Sequence, residues 1–242
     1  MDETCMSIEE AVTGDPALFE LLLKHPRVVD AGLDASAGSG LLFREGNWRR
    51  QVLVGAPQAP LAGLIEMVDN NPLVCADVYA VPDALSTLSL IAIGPLIDAG
   101  LLLEPPVLLV SAGDHSSVEA FLARAGWPDG ATIAEGEAAL GSVAAVNAVA
   151  RISTPDNPSE LDDLYAERFG RSFFVRNADK GPWDTELATA KPYGLYRLRI
   201  APDDGESLLA IQTMADLDGK CGAAQVLHAM NVMAGFEESL GL

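Results

Sequence analysis

The side chains that most often carry chemistry, cysteine and histidine, are few and widely spaced in this chain. The six are Cys5, Cys75, Cys221, His25, His115 and His228. Their spacing matches neither a zinc site nor an even-numbered disulfide framework. The sequence therefore predicts no metal site.

Among these residues, His115 has the best surroundings for acid–base chemistry. It stands between Asp114 and Ser116, and a carboxylate beside a loop histidine can orient the ring as a general base. The same three residues also suit a capping cluster before the helix that follows. Both interpretations stay open.

Basic residues are scarce, and a few are candidates for holding a small anionic ligand. Arg176, which follows Arg168 and Arg171, could bind a carboxylate or phosphate. The alternative is surface pairing with the many acidic side chains. Lys220 is a candidate ligand contact or a solvated lysine at a helix start, and His228 is expected to be a packed or interface residue.

Composition limits the classes of function. The net charge of −20 argues against nucleic-acid binding, because phosphate neutralisation needs clustered Lys and Arg. No apolar run approaches the roughly 18 residues of a membrane span. The acidic start "MDETCMSIEE" is unlike a signal peptide. We expect a cytoplasmic globular protein that contacts neither membrane nor nucleic acid.

The apolar patterns that must position these residues alternate between helical and strand spacing. Helices are predicted over 16–25, 61–68, 83–99, 116–127, 157–169 and from 219 onward. Strands are predicted over 27–35, 49–57, 106–114, 142–152, 172–176, 193–201 and 206–215, with a hairpin turn at 202–205. This order predicts an α/β (α+β) fold in which a mixed sheet is covered by helices.

The last 24 residues carry a more specific signal. They resemble the end of N-acetyl-γ-glutamyl-phosphate reductases of the semialdehyde dehydrogenase family. The matching positions, without a gap, are Gly219, Lys220, Ala223, Gln225, Met230, Asn231, Met233, Gly235, Phe236, Glu237, Glu238, Gly241 and Leu242.

Shorter stretches extend the resemblance. "PLIDAGLL" (95–102) is similar to the helix after the family's catalytic cysteine, and Phe174-Val175-Arg176 to a family strand. "ELLLKHPRVV" (20–29) is similar to the first helix of the family's nucleotide-binding domain. "SAGDHSS" is loosely similar to its substrate loop, which makes Ser111 a candidate ligand contact.

The resemblance implies thioester chemistry, but the nucleophile position has changed. In the family a cysteine at a helix N-terminus attacks an acyl phosphate, and NADPH reduces the resulting thioester. Aligning the 95–102 helix places Ala84 at that cysteine. Cys75, in "NNPLVC", is the candidate replacement nucleophile; the alternative is an ordinary buried thiol.

The cofactor loop has also changed. The family's phosphate-binding loop has three glycines, and only Gly14 remains, with Glu9 and Glu10 before it. The resemblance leaves Gly14 and Gly219 as candidate cofactor contacts. Only 56 residues separate His25 from Pro82, which predicts a shortened nucleotide-binding region over 1–80 and a semialdehyde-dehydrogenase-like dimerisation domain over 81–242.

Two functions follow as hypotheses. The favoured one is a degenerate, non-catalytic relative with no cofactor, which binds a small amino-acid-derived ligand or assembles with itself or with an active reductase. The alternative is an NADP(H)-dependent acyl-phosphate reductase, or a repurposed cofactor-free enzyme, that uses Cys75 or His115.

Overall fold

The computed structural model describes residues 7–136, 140–201, 203 and 205–242. The expected α/β architecture is confirmed, with helices packed on two mixed sheets rather than one. The strands are β1 (Glu10–Thr13), β2 (Ala31–Leu33), β3 (Leu41–Glu45), β4 (Trp48–Val54), β5 (Val78–Val81), β6 (Val107–Val110), β7 (Thr132–Glu135), β8 (Val143–Ser153), β9 (Val175–Asn177), β10 (Gly194–Ala201) and β11 (Glu206–Asp216). The helices are α1 (Pro16–Lys24), α2 (Asn70–Val74), α3 (Ala84–Asp98), α4 (Val118–Arg124), α5 (Ser159–Phe169) and α6 (Ala223–Met233).

The first sheet has the strand order β2-β1-β3-β4-β5. Strand β1 runs parallel to β2 and antiparallel to β3, and β4 runs parallel to β5. Helix α6 packs against α1, α2, β4 and β5, and its Leu227 and Met230 share a core with Leu18 and Val52. The helix that follows the second sheet in the chain therefore completes the core of the first.

The second sheet has the order β7-β6-β8-β11-β10-β9. Helix α3 packs on β8 and β11, and α4 and α5 pack on α3. The inward residues of these strands, such as Leu108, Val146 and Ile211, join the α3 side chains in the larger core. This arrangement explains why α3 is buried around almost its whole circumference.

The opposite face of the second sheet carries an apolar patch that is open to solvent. Val107, Leu109, Val149 and Leu208 point outward and are each 41–47% exposed. They lie on the adjacent strands β6, β8 and β11, where Val107 and Val149 are direct cross-strand partners. The outward positions meant here are 107 and 109 on β6, 145, 147 and 149 on β8, and 208, 210 and 212 on β11. None of them carries an acidic residue. In so acidic a chain, this acid-free area is distinctive.

Most predicted elements are present. Helices α1, α3, α4 and α5 and strands β8, β10 and β11 lie within a few residues of their predicted bounds. Strands β10 and β11 pair antiparallel as expected, although positions 202 and 204 of the predicted turn lie outside the described residues.

Four short strands and one helix were not predicted: β1, β3, β5, β7 and α2. Each has five residues or fewer, too few to show a periodic pattern. The helix predicted over 61–68 was wrong in extent, because only a 3-10 turn at Ile65–Met67 forms. Gly63 lies in the region of positive φ just before it, which interrupts a regular helix.

Within the described ranges, no helix is both long enough and apolar enough to cross a membrane.

Candidate functional site

The sequence resemblance predicts the nucleophile position at the N-terminus of α3, and in the structure a carboxylate lies there. Ala84 is the first residue of the helix and Asp83 is its N-cap. Asp83 accepts hydrogen bonds from the backbone N–H of Ser86 (3.1 Å), from the Ser86 hydroxyl (3.0 Å) and from the Ser117 hydroxyl. An N-cap of this kind satisfies amide groups that would otherwise attract an anion. The helix tip is therefore filled by the protein's own negative charge.

Helix α6 and the turn before it contribute two polar groups beside this tip. The Gln225 amide donates to the carbonyl oxygen of Pro82 (2.9 Å) and lies 3.1 Å from the Thr87 hydroxyl. The Cys221 thiol donates to the carbonyl oxygen of Ala84 at 3.7 Å. Burial raises the pKa of the Cys221 thiol far above its ordinary value, so this sulfur stays protonated at neutral pH. Sequence analysis gave it no role, although it lies within the C-terminal match.

Cys75 lies at the opposite end of β5 from Ala84. It is the exposed C-cap of α2 and precedes β5, whereas Ala84 follows β5. The four residues of β5 lie between them, a rise of roughly 13 Å. The structure therefore does not bring Cys75 together with the tip of α3.

The turn between β1 and α1 is the position of the predicted cofactor loop. Only Gly14 and Asp15 connect the two elements. A Cβ on Gly14 would lie 2.7 Å from the Gly38 carbonyl oxygen, so this glycine allows two backbone segments to pack together. Asp15 caps α1 by accepting from the N–H groups of Ala17 (2.8 Å) and Leu18 (3.3 Å).

A small acidic cleft lies beside α1 and the start of α6. A cavity of about 250 Å³ is lined in part by Leu21, Lys191, Asp216, Asp218 and Leu242. Burial raises the pKa of Asp218, and the negative charges of Asp15 and Asp216 raise it further. The electrostatic environment of the cleft thus disfavours an additional anion.

Lys220, a candidate ligand contact, is instead fully buried in an ion pair. Its ammonium lies 2.7 and 2.9 Å from the two carboxylate oxygens of Glu66, and Ser172 also donates to Glu66. Burial pushes the pKa of Glu66 upward, but the charge of Lys220 and the hydrogen bonds that Lys220 donates outweigh this and lower the pKa. Nothing in the sequence around Glu66 indicated that it would meet Lys220.

The remaining candidates lie apart from one another. The Ser111 hydroxyl accepts from the N–H of Ala145 (3.1 Å) and so joins β6 to β8. Nδ1 of His115 lies 3.4 Å from the carbonyl oxygen of Gly113, in the loop where Asp114 accepts from the N–H of Ser116. Helix α4 begins after Ser117 with no side-chain cap, so these residues form a turn before the helix and do not cap it.

Arg176 and Gly219 complete the set. The Arg176 guanidinium lies over the Tyr193 ring at 3.8 Å and the Phe173 ring at 4.9 Å. Its Nε donates to the carbonyl oxygen of Phe173 at 3.3 Å, and within the described part of the chain it forms no ion pair. A Cβ on Gly219 would overlap the carbonyl oxygen of Lys191, which gives this glycine a packing role.

No family model matches the chain, and no curated protein matches it either. Among solved structures, aspartate semialdehyde dehydrogenase II from Vibrio cholerae is similar with a TM-score of 0.61 and 12% identity, over 95% of this chain and 99% of that one. The same enzyme complexed with ASA gives 0.63 and 12%, over 96% and 99%. The chain therefore has the fold of the semialdehyde dehydrogenases, at low sequence identity.

Proposed function

We propose that this protein is a non-catalytic relative of the semialdehyde dehydrogenases, and that it acts as a binding or assembly subunit. One observation carries the proposal: Ala84 begins α3, and the Asp83 carboxylate closes the helix tip. Alanine cannot form a thioester. A carboxylate at that tip also disfavours the thiolate and the acyl phosphate that such chemistry needs.

The two thiols in the described part of the chain, Cys75 and Cys221, do not replace the missing nucleophile. Cys75 lies at the far end of β5, and the Cys221 thiol is buried beside Ala84 with a raised pKa. A thiolate is the reactive form of cysteine, so neither position supplies one at the tip of α3.

The residues present also fit NADP(H) poorly. A dinucleotide diphosphate needs a glycine-rich turn and free amides at a helix N-terminus. Here the turn has two residues, Gly14 packs against Gly38, and the Asp15 carboxylate takes the first free amides of α1. The negative charges of Asp216 and Asp218 lie nearby. We infer that the protein uses no dinucleotide cofactor.

For partners, we propose a second copy of this chain or an active relative, docked on the open face of the second sheet. Its apolar residues Val107, Leu109, Val149 and Leu208 lie on adjacent strands, where Val107 is paired with Val149 and Leu208 with Arg151. Two chains of charge −20 repel each other, so an area without acidic residues is the surface on which they can approach. A small amino-acid-derived ligand is proposed for the guanidinium of Arg176.

Calorimetric titration with NADPH tests the loss of cofactor binding. We expect no saturable heat up to about 1 mM NADPH, corresponding to a binding free energy weaker than about −4 kcal/mol. Ala84→Cys should restore neither NADPH binding nor acyl-phosphate reduction, because the missing thiol is only one of the two defects.

Micromolar NADPH binding by the natural chain would contradict the proposal. Reduction of an acyl phosphate that disappears in Cys75→Ala would establish the alternative, an active reductase. The matched control is Cys221→Ser, which removes a buried thiol and leaves the exposed one in place.

A further inference from the structure

The first sheet packs its core on one face and leaves apolar side chains on the other. Ala11, Phe43 and Val52 point into the core that α6 completes. Because side chains alternate between the two faces of a strand, Val12 and Leu42 lie on the opposite face, where they are direct cross-strand partners. Leu42 is 45% exposed there, so this second face is open to solvent.

The apolar part of this open face is a row that runs across three strands. Gly32 of β2, Val12 of β1 and Leu42 of β3 are successive cross-strand partners. A Cβ added to Gly32 would lie 3.4 Å from a methyl group of Val12, so the glycine leaves that side of Val12 without a covering side chain. The row therefore forms a shallow apolar floor.

Two arginines lie beside this row, and only one of them has counterions. Arg44 of β3 and Arg49 of β4 are direct cross-strand partners, a position in which like charges repel each other. Arg44 forms ion pairs with Glu9 and, at 3.5 Å, with Glu10. The Arg49 side chain is exposed and forms no hydrogen bond and no ion pair with any other described residue. Its charge is thus uncompensated, in a chain where 35 acidic residues outnumber 15 basic ones.

A cavity joins the free charge to the apolar row. Its volume is about 250 Å³, and its lining includes Val12, Leu42, Arg44, Arg49 and Glu10, whose carboxylate is already paired with Arg44. Sites for drug-sized ligands have roughly 300–1,000 Å³, so this cavity suits a small molecule. A carboxylate beside Arg49 would accept from its guanidinium fork and relieve the repulsion by Arg44. Leu42 and Val12 would then contact an alkyl or aromatic body.

We propose that the open face of the first sheet binds a small carboxylate with an apolar body, held by Arg49 at its charged end and by Leu42 and Val12 along its length. The ligand class follows from one uncompensated positive charge beside an apolar row. The net charge of −20 repels anions at long range, but salt screens this repulsion beyond about 8 Å at physiological ionic strength. The site includes neither the tip of α3 nor Arg176, so it is independent of the function proposed above.

Titration with octanoate and with phenylpropanoate at about 0.15 M salt tests the site, followed by calorimetry and by the chemical shifts of the backbone amides. At least one of the two should bind saturably, with the largest shifts in β1, β3 and β4. Arg49→Met keeps the side-chain stem and removes the charge, so it should weaken binding about tenfold or more. Leu42→Ser should weaken it about threefold, because apolar contact area is lost.

Arg171→Met is the matched control, because Arg171 is another exposed arginine that forms no ion pair within the described residues. It should leave binding unchanged, and so should Arg176→Met, which removes the other proposed ligand contact. Octylamine carries the same tail as octanoate with the opposite charge, and acetate carries the carboxylate without a tail. Each should bind at least about tenfold more weakly than octanoate.

Four results would overturn the proposal. They are no saturable binding of either carboxylate, undiminished binding by Arg49→Met, an equal loss in Arg171→Met or Arg176→Met, and octylamine binding as tight as that of octanoate. Arg49 is exposed, so Arg49→Met should fold like the natural chain, which circular dichroism verifies before the titration.

Discussion

At the scale of single residues, Arg50 shows how a buried charge joins two parts of the first sheet's core. Its guanidinium donates to the carbonyl oxygens of Leu73 (3.0 Å) and Val74 (3.1 Å) at the end of α2, of Met233 (2.5 Å) at the end of α6, and of Ala76 (2.9 Å). Helix C-termini carry partial negative charge and unpaired carbonyls. One cation therefore caps two helices.

Arg50→Ala should lower the free energy of unfolding by about 3 kcal/mol, because several buried carbonyls lose their donor together. Urea unfolding followed by circular dichroism measures the change. The matched control is Arg49→Ala, since Arg49 is the exposed neighbour on the same strand, and it should shift stability by no more than about 0.5 kcal/mol. Equal effects of the two substitutions would contradict the double-capping role.

At the scale of elements, α3 depends on Asp83 for a defined start. The helix carries fifteen residues, most of them buried, and Asp83 also contacts Ser117 beside α4. The N-cap thus fixes both the first turn of α3 and its contact with the neighbouring helix. The same carboxylate closes the position where the resemblance expects a nucleophile.

Asp83→Ala should cost about 1–2 kcal/mol of stability, the range for loss of an N-cap. Thermal and urea unfolding measure it. Asp34→Ala is the comparison, because Asp34 caps only the exposed 3-10 turn at Ala35–Ala37, and its loss should cost less than about 0.5 kcal/mol. If Asp83→Ala were neutral, the carboxylate would not be needed for folding, and its place at the helix tip would require a functional reason.

At the scale of the whole molecule, the open face of the second sheet predicts assembly. The natural chain should be a dimer at micromolar concentration by light scattering coupled to size exclusion. Leu109→Glu combined with Val149→Glu should make it monomeric, because in a symmetric dimer each introduced charge is buried on both subunits. Leu23→Glu, an exposed apolar position on α1, is the control and should stay dimeric. A monomeric natural chain would refute this interface.

The sequence allowed much of the fold to be predicted, because long elements carry their pattern locally. The alternation in β8 and β11 and the capping signals around α3 and α5 need only a few neighbouring residues to act. The short strands β1 and β3 form because other strands pair with them, so their stability is not local. The domain boundary at residue 80 stays a prediction. Any test of it has to include α6, which follows the second sheet in the chain but packs on the first.

For the candidate site, the sequence alone shows that position 84 is an alanine and that one glycine remains near the first turn. It also shows that acidic residues outnumber basic ones. The tertiary structure decided which groups meet: Asp83 with Ser117, Lys220 with Glu66, and His25 with Asn231. Such contacts join residues 34, 154 and 206 positions apart in the chain. Burial and electrostatics act through space, so only the folded chain determines them.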